Sequence, residues 1–102
     1  MKPAKDCKSV QEIRSCIDEI DYQILTHFEK RLEYVKAIVK YKSSQEGIVA
    51  KERQLEVFQQ RRKWAIELGL DPDLFEEIFK ILINWNVKKE MEIFRNQEIG
   101  NI

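Results

Sequence analysis

Apolar residues recur at helical spacing along the first forty positions. Ile13, Ile17, Ile20, Ile24, Phe28, Val35 and Ile38 follow one another at steps of three, four and seven, which places them on one stripe of an α-helix. Ser9-Val10-Gln11-Glu12, just ahead of them, reads as a capping box, with Ser9 as N-cap and Glu12 reaching back. No Gly or Pro interrupts before Gly47, so the pattern predicts a first helix over about 10–42. "SSQEG" at 43–47 is polar and ends in Gly, and reads as a loop. Leu55, Phe58, Ala65 and Leu68 mark a second helix over about 49–68, with Gly69 in the position where helices commonly end. Asp71 and Pro72 then form an N-cap and first-turn pair. Phe75, Ile78, Phe79, Leu82, Ile83, Val87 and Phe94 carry a third helix over about 72–96, and "EIGNI" at the end is expected to fray. There is no internal repeat and no strand alternation. The expected fold class is all-α: a single three-helix domain spanning 1–102.

The first of these helices is long for its chain. At 1.5 Å per residue it extends roughly 50 Å, against a radius of gyration of about 13 Å for a compact body of this size. A second copy that covers the protruding half resolves the mismatch, so the spacing predicts an intertwined homodimer. The alternative is a helix that breaks near Phe28–Arg31.

Composition narrows the setting. The 102 residues include 18 Lys plus Arg and 18 Asp plus Glu, a formal net charge of zero. That argues against nucleic-acid binding through a basic surface. With 35% charged and 43% hydrophobic residues, 3 Gly and 2 Pro, the chain suits a helical protein. No apolar run approaches the roughly 20 residues of a membrane span, and "MKPAKDCKSV" has no apolar signal core, so no membrane partner is expected and the expected location is cytoplasmic. Cys7 and Cys16 form no CxxC, and with one histidine they make a poor zinc set; no metal is expected. A disulfide between them requires that the two approach, and a cytosolic chain keeps its thiols reduced. Both are read as buried structural side chains.

No P-loop, GxGxxG, HExxH or nucleophile–base grouping is present. His27 is read as structural. The first helix is more informative. Arg31, Val35, Ile38 and Lys42 lie at steps of four, three and four, two cations with an apolar wall between them. Such a pair can hold the two ends of a small dicarboxylate. The same cations also fit a solvated face, as does Arg53 near the start of the second helix. Arg14 lies about 100° around the helix from Arg31 and cannot easily join that pair on its own helix, though it can reach the site of an antiparallel partner. The third helix holds an oddity: Ile83, Val87, Glu90 and Phe94 share one stripe, so an acid stands where a core residue belongs. Carboxylates are rarely buried unless something pairs with them. A polar pocket shared by Glu90 and the first-helix cations accounts for it.

These residues bring a family into view. "DC" at 6–7, "IRSCIDEIDYQIL" at 13–25, "KRLEYVKAIVKYK" at 30–42, "KERQLEVF" at 51–58, "RRKWAIELGLDPDLFEEIF" at 61–79 and "LINW" at 82–85 resemble the all-helical AroQ-class chorismate mutases. More closely, the chain is similar to their salicylate-forming relatives, the isochorismate-pyruvate lyases of siderophore biosynthesis. The resemblance implies an intertwined dimer of three-helix subunits that needs no cofactor. It implies that Arg14 serves the partner's site, while Arg31, Lys42 and Arg53 serve their own. Glu90 stands in the column of a helix-three glutamine that donates a hydrogen bond to the substrate's ether oxygen; glutamate occurs there in some mutases. Many mutases also carry an acid three residues before the helix-two arginine and a glutamate right after it, which hold the 4-hydroxyl of chorismate. Here those positions are Ala50 and Gln54, a loss of both acids that looks like the lyase branch. Gln54 can still bond a hydroxyl, which leaves room for weak mutase activity.

The implied chemistry is pericyclic. Isochorismate passes its C2 hydrogen to the enolpyruvyl methylene as the C–O bond breaks, giving salicylate and pyruvate; in the mutase alternative, chorismate rearranges to prephenate. A third reading, of another class, is a non-catalytic helical dimer. In the catalytic readings Arg14 and Arg31 clamp carboxylates, Lys42 sits at the ether oxygen, Arg53 supports the carboxylate or ring side, and Val35 and Ile38 pack the ring. Glu90 can donate only when protonated. An apolar surround favours that acid form, and neighbouring cations oppose it.

Overall fold

The computed structural model describes residues 1–100; Asn101 and Ile102, the end of the expected frayed tail, lie outside the described residues. Among the described residues all regular structure is helical. The chain divides into two compact units, Met1–Tyr34 and the remainder from Val35 onward.

The first unit opens with a 3-10 turn, Ala4–Asp6, and continues into α1, Val10–Ile38, whose last residues belong to the second unit. The capping box forms with one change. Glu12 N–H donates to Ser9 Oγ at 3.1 Å as expected, but the Glu12 carboxylate accepts from Lys8 N–H at 2.6 Å, one residue before the N-cap. The same carboxylate pairs with Lys2. The Lys2 ammonium, and then the Lys8 N–H, hold it below the ordinary carboxylate range. The first eight residues therefore form a hook folded back on the start of α1. No break occurs near Phe28–Arg31: α1 is one helix of 29 residues, and none of its side chains is buried. Ile13, Ile17, Ile20 and Ile24 remain 43–50% exposed in the single chain. His27 is also exposed, and its Nδ1 bonds the Gln23 carbonyl at 2.7 Å, one turn back. It is satisfied locally, in line with a structural role.

In the second unit, several expected boundaries shift. The first helix was expected to reach residue 42. Instead α1 ends at Ile38 and tightens into a 3-10 turn, Val39–Tyr41, after which Lys42 is extended. The tightening turns Val39 fully inward, at 0% exposure, which no periodicity of the preceding helix requires. "SSQEG" is a loop only at Ser43 and Ser44. Ser44 Oγ accepts from Gly47 N–H at 3.1 Å and caps a short helix, α2, Gln45–Val49. Ala50 then takes a left-handed conformation, φ 46° and ψ 61°, and separates α2 from α3, Lys51–Glu67, in place of one helix over 49–68. A non-glycine residue in this region costs roughly 1–2 kcal/mol, and glycine returns about 0.4–1 kcal/mol of that through a freer unfolded chain. Ala50→Gly is expected to raise stability by about 0.5–1 kcal/mol, seen as a melting temperature a few degrees higher at fixed protein concentration. A lower melting temperature would contradict the strain assigned to Ala50.

The α3–α4 joint is the one expected. Gly69 has φ 74°, its N–H bonds Ile66 O at 3.1 Å, and Leu70 N–H bonds Ala65 O at 2.7 Å, a Schellman motif. Asp71 Oδ1 accepts from Asp73 N–H at 2.9 Å and starts α4, Pro72–Gly100, which outruns the expected end at 96. Arg62 of α3 bridges Asp73 at 2.8 Å and Glu76 at 3.5 Å on α4, and Arg61 lies over the rings of Trp64 and Phe79. Val57 and Ala65 on α3 and Ile83 on α4 are buried. Further along α4, Val39 and Ile48 pack with Phe94 to form a small core, with Val87, Met91 and Ile93 against it. The 3-10 turn and α2 are thus seated on the stretch of α4 that carries Glu90.

Candidate functional site

Glu90 is buried at 8% exposure, as its place in the stripe predicted, and Asn86, one turn earlier, is buried at 4%. Asn86 is the residue that the sequence reading missed. The stripe was drawn from Glu90 back three positions to Val87, which is only partly buried; four positions back serves helical spacing equally well. The polar step in this core is therefore two side chains long. Buried polar groups at such a site are retained only with hydrogen-bonding partners.

The second unit also holds Lys42 and Gln54. Lys42 is half-buried, its N–H closing the 3-10 turn on Val39 O at 2.9 Å. Its aliphatic arm passes α2 closely enough that a Cβ at Gly47 would stand 3.9 Å from Lys42 Cδ. Gln54, on the first turn of α3, is also half-buried. Its Nε2 donates to Val49 O at 2.7 Å, so its amide nitrogen supports the α2–α3 break. A cleft of about 520 Å³ lies on the α2–α4 seam, lined by Gln45, Glu46, Val49, Lys51 and Met91. Its size suits a small ligand. None of the expected site residues lines it, though Met91 follows Glu90 and Val49 holds Gln54.

The other candidates are placed as follows. Arg53 is exposed and ion-paired with Glu56, one turn along α3, so a ligand that takes its guanidinium competes with an exposed, weakly held carboxylate. Val35 is partly buried and Ile38 is 45% exposed. In the first unit, Arg14 is exposed and Arg31 half-buried on α1. Seventeen residues of continuous helix separate these two by about 26 Å along the axis. They cannot grip one small molecule within a single chain.

Lys42 thus precedes a short capped helix, and α4 buries the polar pair Asn86 and Glu90. The model of the family described as chorismate mutase type II matches residues 13–91. The chain belongs to the chorismate mutase type II family. Within it, the chain is 36% identical over 95 residues to the isochorismate pyruvate lyase of Pseudomonas aeruginosa, covering 93% of this chain and 94% of that protein. It is also 36% identical over 75 residues to the T-protein of Haemophilus influenzae, covering 72% of this chain but 20% of that protein. The all-α class expected from periodicity is thus the chorismate mutase type II architecture. No helix of the described residues is long and apolar enough to cross a membrane.

Proposed function

We propose that this protein is an isochorismate-pyruvate lyase that converts isochorismate to salicylate and pyruvate without a cofactor. The observation that carries the proposal is the likeness to the Pseudomonas aeruginosa lyase along nearly the full length of both chains. The second unit supports it locally. The two positions where the mutase pattern has acids hold Ala50 and Gln54, and the amide nitrogen of Gln54 is engaged by the Val49 carbonyl. Neither offers a carboxylate to a 4-hydroxyl.

In the proposed reaction Arg14 and Arg31 hold the substrate's carboxylates through their guanidinium forks, and Arg53 assists on the ring side. Lys42 stands at the ether oxygen, where negative charge grows as the C–O bond breaks. Glu90 donates a hydrogen bond to the same oxygen. Val35 and Ile38 pack the ring and favour the folded conformer in which the C2 hydrogen faces the methylene. The working form is an intertwined homodimer in which Arg14 serves the partner's site. The exposed isoleucines of α1 are the surface that a second copy covers. The product feeds salicylate-dependent siderophore assembly in the cytoplasm.

The mutase reading remains the rival because the family model itself is that of chorismate mutases. A non-catalytic dimer is disfavoured because Arg14, Arg31, Lys42 and Arg53 are all retained. Separate incubation with isochorismate and with chorismate distinguishes the readings. Fluorescent salicylate from isochorismate at a kcat/KM well above that of prephenate formation is the expected outcome. Prephenate as the faster product would make the protein a mutase, and neither product would leave the non-catalytic dimer.

A further inference from the structure

Two thiols outside the proposed site meet in the first unit. Cys7 ends the 3-10 turn of the N-terminal hook, and Cys16 lies in the second turn of α1. Nine residues apart in sequence, they come together because the hook folds back. Lys2 reaches Glu12, Lys8 N–H bonds the Glu12 carboxylate, and the Ser9 cap fixes the entry to the helix. Cys7 and Cys16 are half-buried while their neighbours along the chain, Asp6, Lys8, Ser15 and Ile17, are exposed; Cys16 acts on the Cys7 thiol, which also points weakly at the Pro3 carbonyl, 3.8 Å away. Both cysteines are unbridged, and half-buried where buried side chains were expected.

We propose that Cys7 and Cys16 are a redox pair that a peroxide closes into an intrachain disulfide, stapling the hook to α1. Desolvation and the neighbouring Cys16 push the Cys7 thiol above its ordinary range, so Cys7 keeps its proton and acts second. The Cys16 thiolate attacks one peroxide oxygen; the O–O bond breaks, and the departing hydroxide takes up a proton to become water. The Cys7 sulfur then attacks the sulfenic sulfur of Cys16; the S–O bond breaks, and the hydroxyl leaves as water with the Cys7 proton. Two thiols and one hydrogen peroxide give one disulfide and two waters. A dithiol reverses the step by exchange.

The test uses the full native chain with a small excess of hydrogen peroxide, quenched with iodoacetamide and read by mass spectrometry. The expected product is a chain about 2 Da lighter that takes up no iodoacetamide, with tryptic fragments 6–8 and 15–30 joined and released by dithiothreitol. Its formation is expected to be at least tenfold faster in the native protein than in denaturant, since the folded hook supplies the local concentration. Cys7→Ser is expected to stop at a Cys16 sulfenic acid that dimedone captures. A disulfide that links two chains, a Cys16 sulfinic acid beside an unreacted Cys7, or equal rates folded and unfolded would overturn the proposal.

Discussion

Lys42→Ala is expected to lower kcat/KM for isochorismate by about 10²–10³-fold, the usual loss when one donor to a developing oxyanion is removed. Arg14→Ala is expected to fall at least as far, because it takes away a bidentate carboxylate contact. The two variants together make a sharper test than either alone. If Arg14 works across the dimer, a mixed dimer of the two variants has one doubly damaged site and one intact site. Unfolding the variants together and refolding them gives mixed dimers as half of the population. Activity is then expected to return to about one quarter of the wild-type value, which follows from the two-fold symmetry of the assembly. No recovery would mean that Arg14 and Lys42 serve a site within one chain, or that no dimer forms. The distance between Arg14 and Arg31 along α1 already weighs against the former.

The second large effect is on pH. Glu90 is buried and can donate to an ether oxygen only as the carboxylic acid. If Glu90 is the donor of the proposed reaction, turnover follows its protonated fraction. Activity is expected to be highest at low pH and to drop tenfold per unit once the pH passes the pKa of Glu90 in the complex. Glu90→Gln keeps a donor of the same shape without a proton to lose. It is expected to retain activity and to flatten the profile between about pH 5 and about pH 8.5, whereas Glu90→Ala loses turnover at every pH. A wild-type profile that is flat over this range, or a Glu90→Gln profile that still declines, would remove Glu90 from the donor role.

The features that the sequence announced are those set by a few neighbouring residues. The start of α1 needs only Ser9 and Glu12, and the α3–α4 joint needs only Gly69, Asp71 and Pro72. The buried position of Glu90 followed from spacing within a single helix. What escaped was decided by packing between elements. Val39 turns inward because Ile48 and Phe94 wait for it, so α1 tightens where its own pattern would continue. Gly47, three residues after Ser44, reads as a stop; it is in fact where the Lys42 arm passes. Ala50 carries no signal of a left-handed residue, since glycine or asparagine would be the usual choice. Asn86 was hidden by an ambiguity of the helix itself, which repeats between three and four residues. Among the candidate site residues, the Val49 bond of Gln54 and the Glu56 partner of Arg53 were not legible.

The bare flank of α1 has a consequence for the life of the protein. A helix gains little from its backbone alone and is marginal in water, and no side chain of α1 is fully buried. In the proposed dimer shelter would come from the other copy, so folding and assembly would become one equilibrium, and the folded fraction would rise with concentration. Newly made chains would stay incompletely ordered, and open to proteases, until enough of them have accumulated to meet. The level of expression would then set more than the amount of catalyst: below a threshold there would be almost none, and above it synthesis would convert steeply into activity.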